Sequence, residues 1–125
     1  MHQEVKTAAD FDAAIASGNV LVDFWATWCR PCIAEIPNIK RIYSQYHGKG
    51  LEIYGVSLDE NQISWQNFIE KFELDWIQVS DLKGWQSAGA QSYSIQAIPA
   101  TLLIDKSGKI LYRDLRGQDL EARIS

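Results

Sequence analysis

Cysteine is scarce in this chain of 125 residues: there are two, Cys29 and Cys32, separated by two residues. A secreted scaffold built on disulfides would carry several pairs in a smaller, loop-rich chain, so these cysteines are not its framework. Histidine is equally sparse, with only His2 and His47. A structural zinc site needs about four ligands at set spacings, and one histidine near the N-terminus and one at an expected helix end do not complete it. No apolar run approaches the roughly 20 residues of a membrane span. The N-terminus also lacks the charged-then-apolar order of a signal peptide. Basic residues are in deficit, 12 against 16 acidic ones for a net charge of −4, and no basic cluster offers a nucleic-acid surface.

What is present is enough for one domain over residues 1–125, large enough to bury a core without staples. The chain ends at Asp119-Leu120-Glu121-Ala122-Arg123-Ile124-Ser125, a short way into an expected helix, which suggests an excised domain or a processed form. The two cysteines lie where an apolar run meets an amphipathic one. Val20-Leu21-Val22-Asp23-Phe24-Trp25-Ala26 is apolar at every position but Asp23, the pattern of a central strand covered on both faces. From Cys32 to about Tyr46, apolar residues Ile36, Ile39, Ile42, Tyr43 and Tyr46 recur at helical spacing. A strand feeding a helix whose first turn carries C-x-x-C points to a redox-active dithiol.

Three local features support reactivity. Cys29 is expected at the helix N-terminus, where unpaired N–H groups and the macrodipole favour a thiolate. Arg30 adds a fixed positive charge beside it, and Pro31 suits a first turn because its missing N–H would have had no partner. Cys29 is therefore assigned as the exposed attacking thiol and Cys32 as the resolving one. Asp23 shares a strand face with Leu21 and Trp25. It reads either as a buried acid satisfied by hydrogen bonds or as the acceptor of the Cys32 proton, because burial raises a carboxylate's proton affinity. Glu35, one turn after Cys32, is either a solvated helix charge or a residue that tunes the dithiol.

The remaining elements follow from pattern. Glu4-Val5-Lys6 allows a short edge strand, and Thr7 with Asp10 fits a capping box for a helix ending near Gly18. Pro37 should kink the Cys32–Tyr46 helix, which Gly48-Lys49-Gly50 ends. Leu51 to Ser57 is a second central strand. Asp59, with Gln62 at the third position, is expected to cap a helix whose apolar stripe is Trp65, Phe68, Ile69 and Phe72. Trp76 to Val79 gives a short strand, and Trp85 to Tyr93 a short helix broken by Gly89. Ala100 to Ile104 and Lys109 to Arg113 form a hairpin across Lys106-Ser107-Gly108, with Pro99 at a strand start, where a sheet tolerates proline. The sum is an α/β domain, a mixed sheet with helices on both faces.

Asp23-Phe24-Trp25-Ala26 before Trp28-Cys29-Arg30-Pro31-Cys32, with Pro37 beyond, resembles thioredoxin. Ala97-Ile98-Pro99-Ala100-Thr101-Leu102-Leu103-Ile104-Asp105 with Gly108-Lys109-Ile110 resembles the TlpA/ResA-like thiol-disulfide oxidoreductases, as does an insert of a helix and a strand over about 59–79. The resemblance implies a thioredoxin fold with a cis proline at Pro99 facing the dithiol. It implies main-chain hydrogen bonds from Ile98 to an extended substrate, a flanking tryptophan at Trp28, a buried acid at Asp23 and an acid near the dithiol at Glu35. Gly55 stands where thioredoxin places the charged partner of its buried acid, so Asp23 is expected to lack a lysine neighbour. Arg30 replaces thioredoxin's glycine, so thioredoxin's redox potential does not transfer.

The function expected is protein thiol-disulfide exchange through a Cys29–Cys32 couple, reducing substrate disulfides with no organic cofactor and no metal. Its partners would be a disulfide-bearing protein and an upstream dithiol donor, and the domain would be monomeric. A thiol peroxidase is the alternative enzyme, but P-x-x-x-T-x-x-C would need proline at Val22 and threonine at Ala26. A soft-metal or redox-sensing binding module is the non-catalytic alternative, weakened because Met1 is the sole methionine. By resemblance the compartment is extracytoplasmic, periplasmic or membrane-tethered, with the cytoplasm as the alternative.

Overall fold

A computed structural model describes residues 2–3, 20–105, 107 and 109–113 of the chain. The expected edge strand over 4–6, the helix ending near Gly18, Lys106 and Gly108 of the hairpin turn and the C-terminal helix lie outside the described residues.

Strands β1 (His2–Gln3), β2 (Val20–Trp25), β3 (Glu52–Ser57), β4 (Ile77–Val79), β5 (Ala100–Ile104) and β6 (Ile110–Arg113) form one sheet in the order β1-β4-β3-β2-β5-β6. β2 runs parallel to β3 and antiparallel to β5, so the sheet is mixed with β2 near its centre. Helices α1 (Arg30–Tyr46), α2 (Gln62–Lys71) and α3 (Ala88–Ser92) flank it. Alternate β2 residues meet opposite layers: Trp25 packs on Phe68 of α2 with ring centroids 5.5 Å apart, and Phe24 on Tyr93 beyond α3 at 6.5 Å. The whole of β2 is buried, which explains its near-continuous apolar sequence. Leu21 and Phe24 are fully buried, each worth about 1.5–3 kcal/mol of hydrophobic stabilisation.

The expected elements differ from the observed ones in several places. α1 begins at Arg30, ahead of Cys32, and continues through Pro37 to Tyr46. Asp59 does not cap α2; Asn61 does, its side chain accepting the Ser64 N–H at 2.9 Å. Phe72 is 41% exposed, because it is the residue that ends α2 and the stripe turns away from the core there. The segment expected as one helix from Trp85 to Tyr93 is a 3-10 turn (Gly84–Gln86) followed by α3. The break falls at Ser87, whose hydroxyl caps α3 by accepting the Ala90 N–H, and Gly89 lies inside the helix.

After α1 a 3-10 turn (His47–Lys49) closes on Gly50, whose φ of +102° lies in the region that favours glycine. A Cβ added there meets nothing within 4 Å, so the penalty for substitution is in the backbone alone. Gly50→Ala is expected to lower stability by roughly 1–2 kcal/mol, read as a lower thermal midpoint. In the β5–β6 connection Asp105 accepts the Ser107 hydroxyl at 2.7 Å and the Lys109 N–H at 3.1 Å. These hydrogen bonds hold its carboxyl below the ordinary carboxylate value.

Candidate active site at the dithiol

β2 and β3 end together, in register at Trp25 and Ser57, and the Leu58 N–H donates to the Trp25 carbonyl at 2.8 Å. The chain then turns through Ala26–Trp28 and enters α1. Cys29 is the N-cap of that helix, its backbone extended and its carbonyl accepting the Ile33 N–H at 3.1 Å. The N–H of Cys32 points back at Cys29 Sγ, 3.3 Å away. Sγ thus occupies the place where a capping oxygen normally sits, within reach of the free N–H groups at the positive end of a helix. This is the position the sequence predicts for the attacking sulfur.

The two sulfurs are bonded, Cys29 to Cys32, with Cα atoms 5.3 Å apart. Exposure does not separate them: Cys29 is 5% and Cys32 4% exposed, so the expectation that Cys29 is the open thiol is not met in the disulfide form. What separates them is the cap, since only Cys29 Sγ accepts a helix N–H. Arg30 and Pro31 are exposed in the first turn of α1. Trp28 is 56% exposed, a large apolar surface beside the disulfide. Glu35 lies one turn further on, half-buried, and its Oε1 accepts the Asn38 side-chain N–H at 3.0 Å.

Ile98-Pro99 arrives from the other side. Ala100 pairs with Phe24 in the antiparallel β2–β5 ladder, so Pro99 stands at the end of the sheet where β2 passes into the dithiol loop. The Ile98–Pro99 peptide is cis, and Pro99 is buried while Ile98 is half-buried. The site therefore lies beyond the carboxyl ends of parallel strands β2 and β3, where open α/β sheets place their ligands. Asp23 sits further back in β2, 8% exposed, paired with Gly55 on one side and Thr101 on the other. Gly55 is the neighbour of Asp23 across β3.

A buried carboxylate that the sequence reading assigned to a helix cap supports the dithiol loop instead. Asp59, 2% exposed, accepts the Thr27 hydroxyl at 2.6 Å and the Thr27 N–H at 3.2 Å, and also the Ser57 hydroxyl. Ser57 Oγ in turn accepts the Asp59 N–H at 2.8 Å. Ser80, just past β4, donates its hydroxyl to the Ser57 carbonyl at 3.0 Å. The loop that carries Trp28 and Cys29 is thus tied to the end of β3 by a carboxylate 32 residues away. The sequence held one signal of this, two polar residues at alternate positions, Ser57 and Asp59, where the strand ends.

Among the described residues no group of three or more His, Cys, Asp or Glu side chains is arranged to hold a metal ion. The Redoxin family profile matches residues 3–123. The thiol-disulfide oxidoreductase ResA of a Bacillus cereus strain is 36% identical over 102 residues, 82% of this chain and 57% of the relative. The chain thus spans little more than half the length of such relatives. The thioredoxin domain of a thiol-disulfide oxidoreductase from Bacteroides vulgatus superposes with a TM-score of 0.82 at 36% identity, over 90% of this chain and 80% of that one. A thiol-disulfide oxidoreductase from Bacteroides fragilis gives 0.80 at 36% identity, over 85% and 78%.

Proposed function

The chain belongs to the Redoxin family, and from that premise we propose that it is a TlpA/ResA-like protein thiol-disulfide oxidoreductase that reduces substrate disulfides. The observation that carries the reading is the capped sulfur: Cys29 Sγ, at the N-terminus of α1, accepts the Cys32 N–H. Once the disulfide is reduced, that N–H and the helix end favour negative charge on Cys29, and the thiolate is the nucleophile of the exchange.

Cys29 Sγ attacks one sulfur of the substrate disulfide. A bond forms between Cys29 and the substrate, the substrate's own S–S bond breaks, and its other sulfur leaves with the electron pair and takes up a proton. Cys32 then gives its proton to Asp23 and attacks Cys29 Sγ. The Cys29–Cys32 bond forms, the mixed disulfide breaks, and the second substrate sulfur leaves as a thiolate. The substrate ends as a dithiol and the chain as the disulfide, which an upstream dithiol donor reduces again. Trp28 and the Ile98 main chain receive an extended substrate segment. Arg30 and Pro31 tune the helix terminus, and Glu35 adds a carboxylate one turn beyond the resolving sulfur.

The domain works as a monomer on a disulfide-bearing protein, with no metal or organic cofactor in the exchange, and is placed outside the cytoplasm. Among the described residues no helix is long and apolar enough to cross a membrane.

The test begins with chain pre-reduced and freed of small thiols. Mixed with insulin, it is expected to release two insulin thiols for each Cys29–Cys32 disulfide recovered; no transfer overturns the assignment. A glutathione titration of the couple then decides direction. A reductant lies nearer thioredoxin's potential of about −270 mV than the about −120 mV of a strong oxidant. A value at the oxidising end reverses the proposed flow of electrons.

A further inference from the structure

Asp23, Gly55 and Gln78 are Cα partners along one line across β2, β3 and β4, so their side-chain positions face the same side of the sheet. Gln78 is fully buried, an unusual place for a carboxamide, and among the described residues neither its Nε2 nor its Oε1 has a hydrogen-bond partner. Its side chain lies over Gly55: a Cβ added to that glycine would stand 2.5 Å from Gln78 Oε1 and 3.1 Å from Nε2. The carboxamide therefore reaches from β4 across the bare backbone of β3 toward β2. The residue that β2 presents at this register is Asp23. Two strand spacings separate the Gln78 and Asp23 backbones, roughly 10 Å, a gap that the two side chains share.

We propose that Gln78 is a positioning residue for Asp23, its carboxamide N–H donating to the carboxylate, directly or through one water, while that carboxylate receives the Cys32 proton. The proposal rests on the proton-acceptor role given to Asp23 above. The structure holds the disulfide form, in which Cys32 has no proton to give; the contact belongs to the mixed-disulfide form, in which it does. A glycine at position 55 is what this requires, because any larger residue occupies the space the carboxamide crosses. The donor keeps the carboxylate oriented, and the proton moves from Cys32 Sγ to Asp23 as the Cys29–Cys32 bond forms.

The test measures the two half-steps separately. Formation of the mixed disulfide is followed in the Cys32→Ser background, and its resolution in single-turnover reactions with Cys32 present. Gln78→Met keeps an unbranched side chain of similar length and removes the donor. It is expected to slow resolution about tenfold, the worth of one hydrogen bond to a charged group, with mixed-disulfide formation unchanged. Asp23→Asn should slow resolution by on the order of 100-fold, and adding Gln78→Met to it should change nothing more. Should Gln78→Met fail to fold, Gly55→Ala displaces the same carboxamide and is expected to give the same step-selective loss.

If Asp23→Asn slows resolution while Gln78→Met and Gly55→Ala do not, the Gln78 assignment is wrong and the Asp23 role stands. Equal slowing by Gln78→Met with and without Asp23 also overturns it, because a residue acting through Asp23 has nothing left to act on. An Asp23→Asn variant that resolves at the full rate removes the acceptor role and the Gln78 proposal together. Loss of both half-steps in Gln78→Met would mark a structural role alone.

Discussion

Cys29→Ser is expected to abolish disulfide reduction, and Cys32→Ser to capture substrate as a covalent adduct. The asymmetry follows from the cap. With serine at position 29 the helix end still offers its N–H, but the hydroxyl there does not ionise at working pH, so the first bond never forms. With serine at position 32 the first bond forms and the second attack is missing. A thiol held one helical turn away acts at an effective concentration that can reach about 10⁵ M, whereas free thiols in an assay are millimolar. Even a small part of that advantage leaves the adduct persisting on the order of 10³-fold longer or more. Non-reducing electrophoresis after alkylation, with mass spectrometry of the adduct, checks the result. Equal trapping by both variants would erase the assignment of roles, and trapping by Cys29→Ser alone would reverse it. Because both sulfurs are nearly buried in the disulfide form, accessibility gives no independent reason to prefer Cys29. The distinction is the capping position of Cys29 at the helix end, with the Cys32 N–H on its sulfur, and this experiment tests the roles that follow from it.

Much of this site was legible before the fold. The all-buried run Val20–Trp25 and the helical spacing of Ile39 and Ile42 write their own secondary structure, because burial imposes the period. Cys29 and Cys32 fall where those two periods meet, so their placement at a helix start followed from pattern. What escaped was tertiary. Asp59 with Gln62 satisfies the local pattern of a helix cap, yet Asn61 two residues on satisfies it too and takes the position. Nothing near Asp59 in sequence says that Thr27 would compete for its carboxylate across the sheet. The same limit hid Gln78. Glutamine in a three-residue strand looks like a solvent-facing position, and only the register with Gly55 and Asp23 shows what it reaches over. Gly89 misled in the opposite direction: a glycine is a weak helix former but no breaker, and the hydroxyl of Ser87 decided where α3 began.

Asp59→Ala carries the second large effect, on stability and activity at once. The substitution leaves the Thr27 N–H, the Thr27 hydroxyl and the Ser57 hydroxyl without their acceptor. A buried donor left unmade costs about 1–3 kcal/mol, and Thr27 is partly exposed and regains some water, so the sum sits near the low end, at about 3 kcal/mol. In a domain of this size that lowers the melting temperature by about 10 °C. The loss is not only global. Thr27 immediately precedes Trp28 and Cys29, and Asp59 is the tie that fixes this loop to the end of β3. Exchange activity should therefore fall well below the melting transition, where the remaining fold is intact. Asp59→Asn, which keeps the shape and one acceptor oxygen, is expected to lose less on both measures. Thr27→Val removes the hydroxyl from the other side. If Thr27 and Asp59 act as one unit, the double variant loses less than the two singles added together, by a coupling of about 0.5–3 kcal/mol. Additive losses, or an Asp59→Ala melting temperature within about 2 °C of the parent, would mean that the loop is held by the β2–β3 ladder alone. The buried carboxylate would then be an ornament of the sheet's end and not the anchor of its dithiol.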